Sequence, residues 1–237
     1  MTAGARDAAW RTVGRLVRQN GAVIRVGLTG GIAAGKSVAE RRLADWGVTV
    51  IDYDQLARDV VGPGSAGLAD LVAVCGPAIL RPDGGLDRPE LARRTFADPE
   101  CRHRVEAVIH PLVYAAAAAD EARARRRGAA MVVHDIPLLV ETADRAGFDH
   151  IIVVTAPADL RVERLMAERG LDRRQAEARI RAQSSEAERL AVADVVFDGS
   201  GTIDHLRHQV DRWLTDLGWP ADHQVAPVDD AVQTPTE

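Results

Sequence analysis

Residues 30–37 constrain the fold of this 237-residue chain more than any other segment. They have the sequence GGIAAGKS, which fits the pattern G-x-x-x-x-G-K-[ST]. Alternating apolar residues at 23–29 predict a strand before the segment, and an amphipathic pattern at 36–46, closed by Gly47, predicts a helix after it. This order predicts a nest of backbone N–H groups that binds phosphate, so we call residues 30–37 the phosphate loop.

The basic residues of the chain single out Lys36 within this loop. Of the 30 basic side chains, Lys36 is the only lysine, a bias that the base composition of the gene would also explain. A compact ammonium group fits a phosphate nest in which the planar fork of arginine is too large. We expect Lys36 to contact the β- and γ-phosphates of ATP and the Ser37 hydroxyl to bind Mg²⁺. The other ATP-binding residues are expected to be Gly31, Ala33, Ala34, Gly35 and Val38. The alternative is a glycine-rich turn with an incidental lysine.

Further short apolar segments predict the rest of a sheet. They lie at residues 48–51, 131–134, 151–154 and 195–197. Short apolar strands that alternate with helices are typical of α/β proteins whose helices cover both faces of a parallel sheet. Residues 55–128 are predicted to be mostly helical, with turns at 62–64 and 82–85, and residues 203–217 predict a last amphipathic helix.

Composition excludes several other classes of protein. The formal net charge of -5 argues against a protein that coats a nucleic acid. No apolar run is long enough to span a membrane, and the amino-terminal residues lack the apolar core of a secretion signal. Cys75 and Cys101 form neither a disulfide framework nor a metal-site spacing, which favours a reducing, cytoplasmic location.

The two ends of the chain differ from its middle. Residues 1–22 hold four arginines and one aspartate on a weak helical pattern, and we expect an arm that is disordered or precedes the physiological start. The valine codon GTG can also start translation, so we hypothesise that the physiological chain begins at position 23. Residues 220–237 hold four acids and no lysine or arginine, which predicts a disordered acidic tail.

A phosphate loop does not by itself separate a kinase from a GTPase or an ATP-driven motor. The base-reading motif N-K-x-D of GTPases is excluded, because the chain has no second lysine. Motor ATPases are usually larger. A small-molecule kinase is therefore favoured, and the alternative is a regulatory switch that binds ATP.

Several ordered motifs beyond the phosphate loop point to one kinase family. They are IDYD at 51–54 with LAR at 56–58, DG at 83–84 with LDR at 86–88, HPL at 110–112, IPLLVE at 136–141, RIRAQ at 179–183 and AD at 193–194. Together with the phosphate loop, they make the chain resemble dephospho-CoA kinases over about residues 23–213.

The chain departs from the family pattern at three positions. Ala33 stands where the family usually has glycine, so the second half of the loop loses some conformational freedom, although alanine adopts most helix entries. Val38 replaces a common threonine, with Ser37 retained as the Mg²⁺ ligand. Gly199 replaces asparagine, which puts a nucleotide contact of that amide in question.

The resemblance implies an α/β, three-layer P-loop NTPase fold of the nucleoside-monophosphate-kinase type. It implies a five-stranded parallel sheet, an inserted helical acceptor domain at about 55–128 and a helical lid at about 158–190. The reaction implied is ATP-dependent phosphorylation of the ribose 3′-hydroxyl of dephospho-CoA, the final step of coenzyme A biosynthesis. ATP and dephospho-CoA would be the ligands, with Mg²⁺ bound alongside ATP, and the chain would be a monomer or a small homo-oligomer.

Two aspartates close the second predicted strand. Strand alternation would place the carboxylates of Asp52 and Asp54 on the same side of the strand. By the residues alone they would either work on a phosphoryl acceptor or cap the helix that begins near Gln55. The resemblance implies that Asp54 is the catalytic carboxylate that orients the 3′-hydroxyl, with Asp52 in support.

Three other residues are candidates for the metal and acceptor sites. Asp135 ends an apolar strand, as an acid that reaches the water shell of a metal would, or it is a solvent-facing strand end. By resemblance, Leu138 contacts the acceptor. His110, with Pro111, is predicted to start a helix of the acceptor domain and to be available to the substrate.

The predicted helix after Pro157 carries Arg161, Arg164 and Glu168 on one face. Gly170 is predicted to end it, and Asp172 with Gln175 to cap the next helix. By resemblance Arg164 is the lid arginine, a catalytic residue that stabilises the transferred phosphoryl group. The alternative from the residues alone is a surface ion pair with Glu168.

Overall fold

The structure is a computed structural model that describes residues 23–141 and 147–219. The predictions for the arm at 1–22 and the tail at 220–237 lie outside the described residues. The chain divides into two compact units, of which Ile51–Gly128 is the second and the residues on either side of it form the first.

The elements follow one another as a mixture of strands and helices. In chain order they are β1 Ile24–Gly30, α1 Lys36–Asp45, β2 Thr49–Asp52, α2 Tyr53–Asp59, α3 Ala66–Cys75, a short 3-10 helix Pro77–Ile79, α4 Arg88–Ala97, α5 Pro99–Arg126, β3 Met131–Asp135, β4 His150–Thr155, α6 Ala158–Arg169, α7 Arg173–Arg181, α8 Glu186–Val192, β5 Val195–Asp198 and α9 Ile203–Asp216. No helix in the described ranges has the length and apolarity needed to cross a bilayer.

The strands form one five-stranded sheet in the order β2-β3-β1-β4-β5. β1 pairs in parallel with β3 on one side and with β4 on the other, and β5 pairs in parallel with β4. The prediction of a five-stranded parallel sheet is confirmed. Because the strands are parallel, the carboxyl ends of β1 and β3 meet at the same edge of the sheet, where the phosphate loop begins.

The core of the first unit lies between β1 and two helices. Val26 and Leu28 of β1 are buried against Leu43 of α1 and against a stripe on α9 formed by Leu206, Val210 and Leu214. Burying each leucine or valine side chain stabilises the fold by roughly 1.5–3 kcal/mol. Packing of α1 on β1 therefore fixes where the phosphate loop starts and ends.

The second unit is helical, and its longest helix is α5. Helices α2, α3 and α4 all contact α5. The predicted helix start at His110 and Pro111 is wrong, because α5 begins at Pro99, where the side chain of Asp98 accepts a hydrogen bond from Glu100 N at 2.9 Å. Proline lacks a backbone N–H and disfavours a helix interior, but packing by three helices maintains α5 through Pro111.

The loop backbone makes Ala33 exceptional. Its φ is 60°, and it is the only non-glycine residue in the described ranges with a positive φ. The position is left-handed and not a right-handed helix entry, so the loss of conformational freedom expected for alanine in the loop falls at this residue. An L-residue with a Cβ is disfavoured in this region by about 1–2 kcal/mol.

A polar network joins α1 to α9. Arg42 donates to both carboxylate oxygens of Asp211, at 2.6 and 3.0 Å, and the Trp46 indole donates to the same carboxylate at 2.7 Å. Burial pushes the pKa of Asp211 up, but the hydrogen bonds from Arg42 and Trp46 outweigh burial and hold the pKa below its ordinary value. The ionised form of Asp211 is therefore favoured by folding.

Asp211→Asn should lower the free energy of unfolding by about 1–2 kcal/mol at neutral pH, because its charge-assisted hydrogen bonds weaken. Since the pKa of Asp211 is lower in the folded chain, its contribution is complete above the unfolded value and is lost as the pH falls through the folded value. Denaturant titrations at neutral pH and near pH ~3 should show a difference that shrinks in acid. The control is Asp204→Asn, whose side chain is 80% exposed and lies 3.8 Å from Arg207. An equal loss in both variants would contradict the assignment.

Ala33→Gly should raise the free energy of unfolding by about 0.5–1 kcal/mol. Relief of the left-handed strain, about 1–2 kcal/mol, exceeds what is lost through the partly buried methyl group and the more flexible unfolded chain. The matched control is Ala167→Gly in the exposed interior of α6, which should lower the same quantity by about 1 kcal/mol. Denaturant titrations of both variants decide the matter, and a loss of stability in Ala33→Gly would refute the strain argument.

Candidate active site

The phosphate loop joins β1 to the amino end of α1. Gly35 precedes α1 with a φ of 105°, and no side chain caps the helix. Within the loop, Ala34 N donates to Gly31 O at 3.0 Å, and Val38 N donates to Gly35 O at 2.9 Å. Because no side chain caps the first turn of α1, the N–H groups of Lys36 and Ser37 are available to an anion, and the helix dipole favours negative charge there.

Lys36 and Asp135 form an ion pair at the end of the sheet. Lys36 is the first residue of α1, and its Nζ donates to both carboxylate oxygens of Asp135. Asp135 ends β3 directly opposite Leu28 of β1 and is only 2% exposed, so a solvent-facing strand end is excluded. The structure thus brings together the two residues predicted to hold the phosphates and the metal.

The oxygen donors at this end of the sheet suit Mg²⁺ that arrives with a nucleotide. Ser37 is the second residue of α1 and is exposed, and the Asp135 carboxylate lies against Lys36. Hard oxygen ligands of this kind fit Mg²⁺, which usually binds through one or two protein groups plus the substrate phosphates. Over residues 23–141 and 147–219 there is no cluster of three or more His, Cys, Asp or Glu side chains that could hold a metal ion by itself.

Arg164 of α6 contacts the loop. Its guanidinium group donates to Ala33 O at 3.2 Å and to Gly199 O at 2.7 Å, so its partners are backbone carbonyls rather than Glu168. The predicted end of α6 at Gly170 and the predicted capping box of Asp172 with Gln175 on α7 are confirmed. Closure of residues 158–190 as a lid stays a prediction.

Gly199 lies directly against the phosphate loop. It follows β5, and its N–H donates to Thr155 O at 2.8 Å. A Cβ at this position would overlap the carbonyl oxygen of Ala34. A side chain at position 199 therefore has no room, because the backbone of Ala34 occupies the space that it would need.

Two contacts of the loop were not predicted from the sequence. Gln183, which follows α7, accepts a hydrogen bond from Ile32 N at 2.8 Å. Thr29, which is buried at the end of β1, donates to Pro137 O at 3.2 Å and so ties the loop entry to the segment after β3. Gln183 belongs to the RIRAQ motif at 179–183, which was the signal available in the sequence, but no periodicity indicated a partner for it.

The segment after β3 presents Leu138 to solvent. Leu138 is 49% exposed while its neighbour Leu139 is fully buried. Glu141 accepts a hydrogen bond from Ser184 N at 2.8 Å, which links this segment to the chain between α7 and α8. An exposed leucine beside Asp135 is available for an apolar contact with a ligand.

The remaining predicted site residues belong to the second unit. Asp52 ends β2 and caps α2, accepting a hydrogen bond from Gln55 N at 3.0 Å. Asp54 is exposed in the first turn of α2, so the prediction that strand alternation relates the two aspartates is wrong: the strand has already ended. His110 is exposed on α5. Lys36, Ser37, Asp135 and Arg164 are thus assembled within the first unit, and Asp54 and His110 are described in the second.

Comparisons with known proteins point to one family. The sequence profile of the CoaE family of dephospho-CoA kinases matches residues 24–205. The dephospho-CoA kinase of Corynebacterium jeikeium is 45% identical over 189 residues, which cover 80% of this chain and 97% of the relative. That of Cutibacterium acnes is 47% identical over 193 residues, covering 81% and 84% of the two chains.

Solved structures agree with the fold. A crystal structure of TT1252 from Thermus thermophilus superposes with a TM-score of 0.72 at 34% identity, covering 82% of this chain and 98% of the other. The dephospho-CoA kinase of Campylobacter jejuni gives a TM-score of 0.57 at 22% identity, covering 81% and 96%, and supports the fold alone. The chain has the phosphate loop and the acid at the end of β3, and these matches extend over most of its length. The chain therefore belongs to the dephospho-CoA kinase family.

Proposed function

We propose that this chain transfers the terminal phosphoryl group of ATP to the ribose 3′-hydroxyl of dephospho-CoA, giving coenzyme A and ADP. The observation that supports the proposal is the family match over residues 24–205, which includes both the phosphate loop and the whole helical unit Ile51–Gly128. The enzyme would be an alcohol-group phosphotransferase of the final step of coenzyme A biosynthesis. We propose a cytoplasmic location and a monomer or small homo-oligomer.

The phosphate loop would hold the ATP phosphates by charge and by backbone donors. Lys36 leaves the Asp135 carboxylate to contact the β- and γ-phosphates, which offer it the same kind of negatively charged partner. The uncapped first turn of α1 adds N–H donors from the backbone around Gly35. Mg²⁺ bound with ATP, held by Ser37 and by Asp135, would neutralise charge on the phosphates. Positioning and electrostatics are sufficient for phosphoryl transfer, so no covalent enzyme intermediate is needed.

Arg164 would stabilise the phosphoryl group during transfer. Its guanidinium group already contacts the loop through the carbonyl of Ala33, and it also donates to the carbonyl of Gly199. A contact with the phosphoryl group therefore requires Arg164 to exchange at least one of these carbonyls for a phosphate oxygen. Such an exchange would couple the position of α6 to the presence of the nucleotide.

Four exposed or capping residues are proposed to act on the acceptor. We propose that Asp54 accepts or orients the proton of the 3′-hydroxyl, a role for which an exposed carboxylate is suited. Asp52 supports it by capping α2, the helix that carries Asp54. Leu138 and His110, both exposed, are proposed to contact dephospho-CoA.

An assay of ADP release with dephospho-CoA as acceptor tests the function directly. We expect turnover that depends on MgATP and on dephospho-CoA, and little turnover with nucleosides or sugar acids. Turnover confined to one of those other hydroxyl acceptors would replace the proposal with a different small-molecule kinase. ATP binding without turnover on any acceptor would favour a regulatory switch.

Asp54→Asn should lower kcat by about 10²–10⁴-fold, the range for a positioned general base, while the affinity for ATP changes little. The control is Asp59→Asn on the same helix, where the carboxylate only accepts a hydrogen bond from Gln55 at 2.8 Å. Steady-state kinetics with both substrates and direct titration with MgATP give the two quantities. Near-normal turnover in Asp54→Asn, or an equal loss in Asp59→Asn, would show that Asp54 lacks the assigned role.

A further inference from the structure

Two arginines of the first unit are buried beside the phosphate loop. Arg161 on α6 is 4% exposed and Arg189 on α8 is 5% exposed. Both guanidinium groups face Gly31: a Cβ built on Gly31 would overlap Nη1 of Arg161 and would lie 3.2 Å from Nη2 of Arg189. The lack of a side chain at Gly31 therefore lets both arginines approach the loop backbone.

The hydrogen bonds of Arg161 and Arg189 leave a buried donor of Arg161 unused. Nε of Arg161 donates to Ala156 O at 3.0 Å, and Nη1 of Arg189 donates to Ser184 O. Nη1 of Arg161 is buried and has no hydrogen-bond partner among the described residues. Because buried donors are nearly always paired in native proteins, an unpaired guanidinium nitrogen at a loop of this kind indicates a place for an acceptor.

The charges around these arginines also favour an anion. Burial, and next the charge of Arg189, lowers the pKa of Arg161, while Glu186 acts in the opposite direction. Glu186 accepts a hydrogen bond from the Thr155 hydroxyl at 2.7 Å. Arginine stays protonated in proteins, so Arg161, Arg189 and Glu186 together carry two positive charges and one negative charge.

We propose that Arg161 and Arg189 form a second anion site, on the Gly31 side of the phosphate loop, that binds a phosphate oxygen of a bound substrate. The inference rests on the proposed phosphotransfer function. The planar fork of arginine matches the spacing of phosphate oxygens, and a buried site strengthens such charge-assisted bonds. The site is separate from Arg164, whose guanidinium group contacts the carbonyls of Ala33 and Gly199. The oxygen belongs either to the polyphosphate of ATP or to the pyrophosphate of dephospho-CoA.

Arg161→Gln tests the outer guanidinium nitrogens of Arg161, because the substitution can keep the hydrogen bond to Ala156 O. The side-chain nitrogen of glutamine is attached at the same point of the chain as Nε of arginine, so it can still donate to Ala156 O. The substitution removes Cζ, both outer guanidinium nitrogens and the charge, and it places a carbonyl oxygen on Cδ. The matched control is Arg173→Gln, an exposed arginine on α7 that lies 3.8 Å from Glu177.

Calorimetric titration with MgATP, MgADP, tripolyphosphate and dephospho-CoA, each on the full chain, separates the sources of the phosphate. Arg161→Gln should weaken one phosphate source by roughly 10–100-fold, and Arg173→Gln should leave all four affinities unchanged. Loss for ATP and tripolyphosphate assigns the site to the nucleotide, and loss for dephospho-CoA alone assigns it to the acceptor. Tripolyphosphate carries neither base nor acceptor, so this arm remains valid if the chain phosphorylates a different hydroxyl.

Thermal unfolding of the ligand-free protein separates binding from a structural role. Because Arg161→Gln removes a buried charge with an unpaired donor, its unfolding midpoint should not fall below that of the unmodified chain, and only the stabilisation by ligand should shrink. A lowered midpoint with all four affinities unchanged would overturn the proposal. If Arg161→Gln does not fold, Arg189→Gln carries the same expectation in the same titrations, and unchanged affinities there would also overturn it.

Discussion

The amino end of α1, held at the carboxyl end of the central strand β1, is the constraint on which the rest of the site depends. β1 is paired on both sides, with β3 and with β4, so its end cannot shift without breaking two ladders. The same register places Asp135 opposite Leu28, beside the loop that leads into α1. The contact between Lys36 and Asp135 therefore follows from the sheet and not from adjustable surface side chains.

Several polar groups of the phosphate loop already have partners within the chain. Gln183 accepts from a loop N–H, Asp135 pairs with the lysine, and Arg164 donates to a loop carbonyl. A nucleotide that binds here therefore displaces some existing contacts, such as the ion pair of Lys36 with Asp135, and also meets donors that are still unused. The affinity for the nucleotide then depends on the difference between the contacts that it forms and the contacts that it displaces. Because the displaced contacts form again when the nucleotide leaves, the empty site stays stable and the product can be released.

The features that could be predicted from the sequence are those that depend on residues close together in the chain. Strand, glycine loop and helix follow one another within about two dozen residues, and the caps at Gly170 and Asp172 depend on neighbours a few positions away. The failures have other causes. The sequence pattern predicts Asp54 on β2, but the strand ends two residues earlier, at Asp52. It also predicts a helix start at Pro111, but α5 continues through this residue because other helices pack on it. The burial of Arg161 and Arg189 was also invisible, because it depends on segments that are distant in sequence and meet only in the folded unit.

The backbone of Gly199 packs against the backbone of Ala34, although the two residues lie far apart in the sequence. A side chain at 199 can enter only if the loop around Ala34 moves, and that loop also contains the strained Ala33. Positions 33 and 199 are also linked by Arg164, which donates to the carbonyl oxygens of both residues. Because the two positions share this guanidinium group, the effect of a substitution at one is expected to depend on the residue at the other.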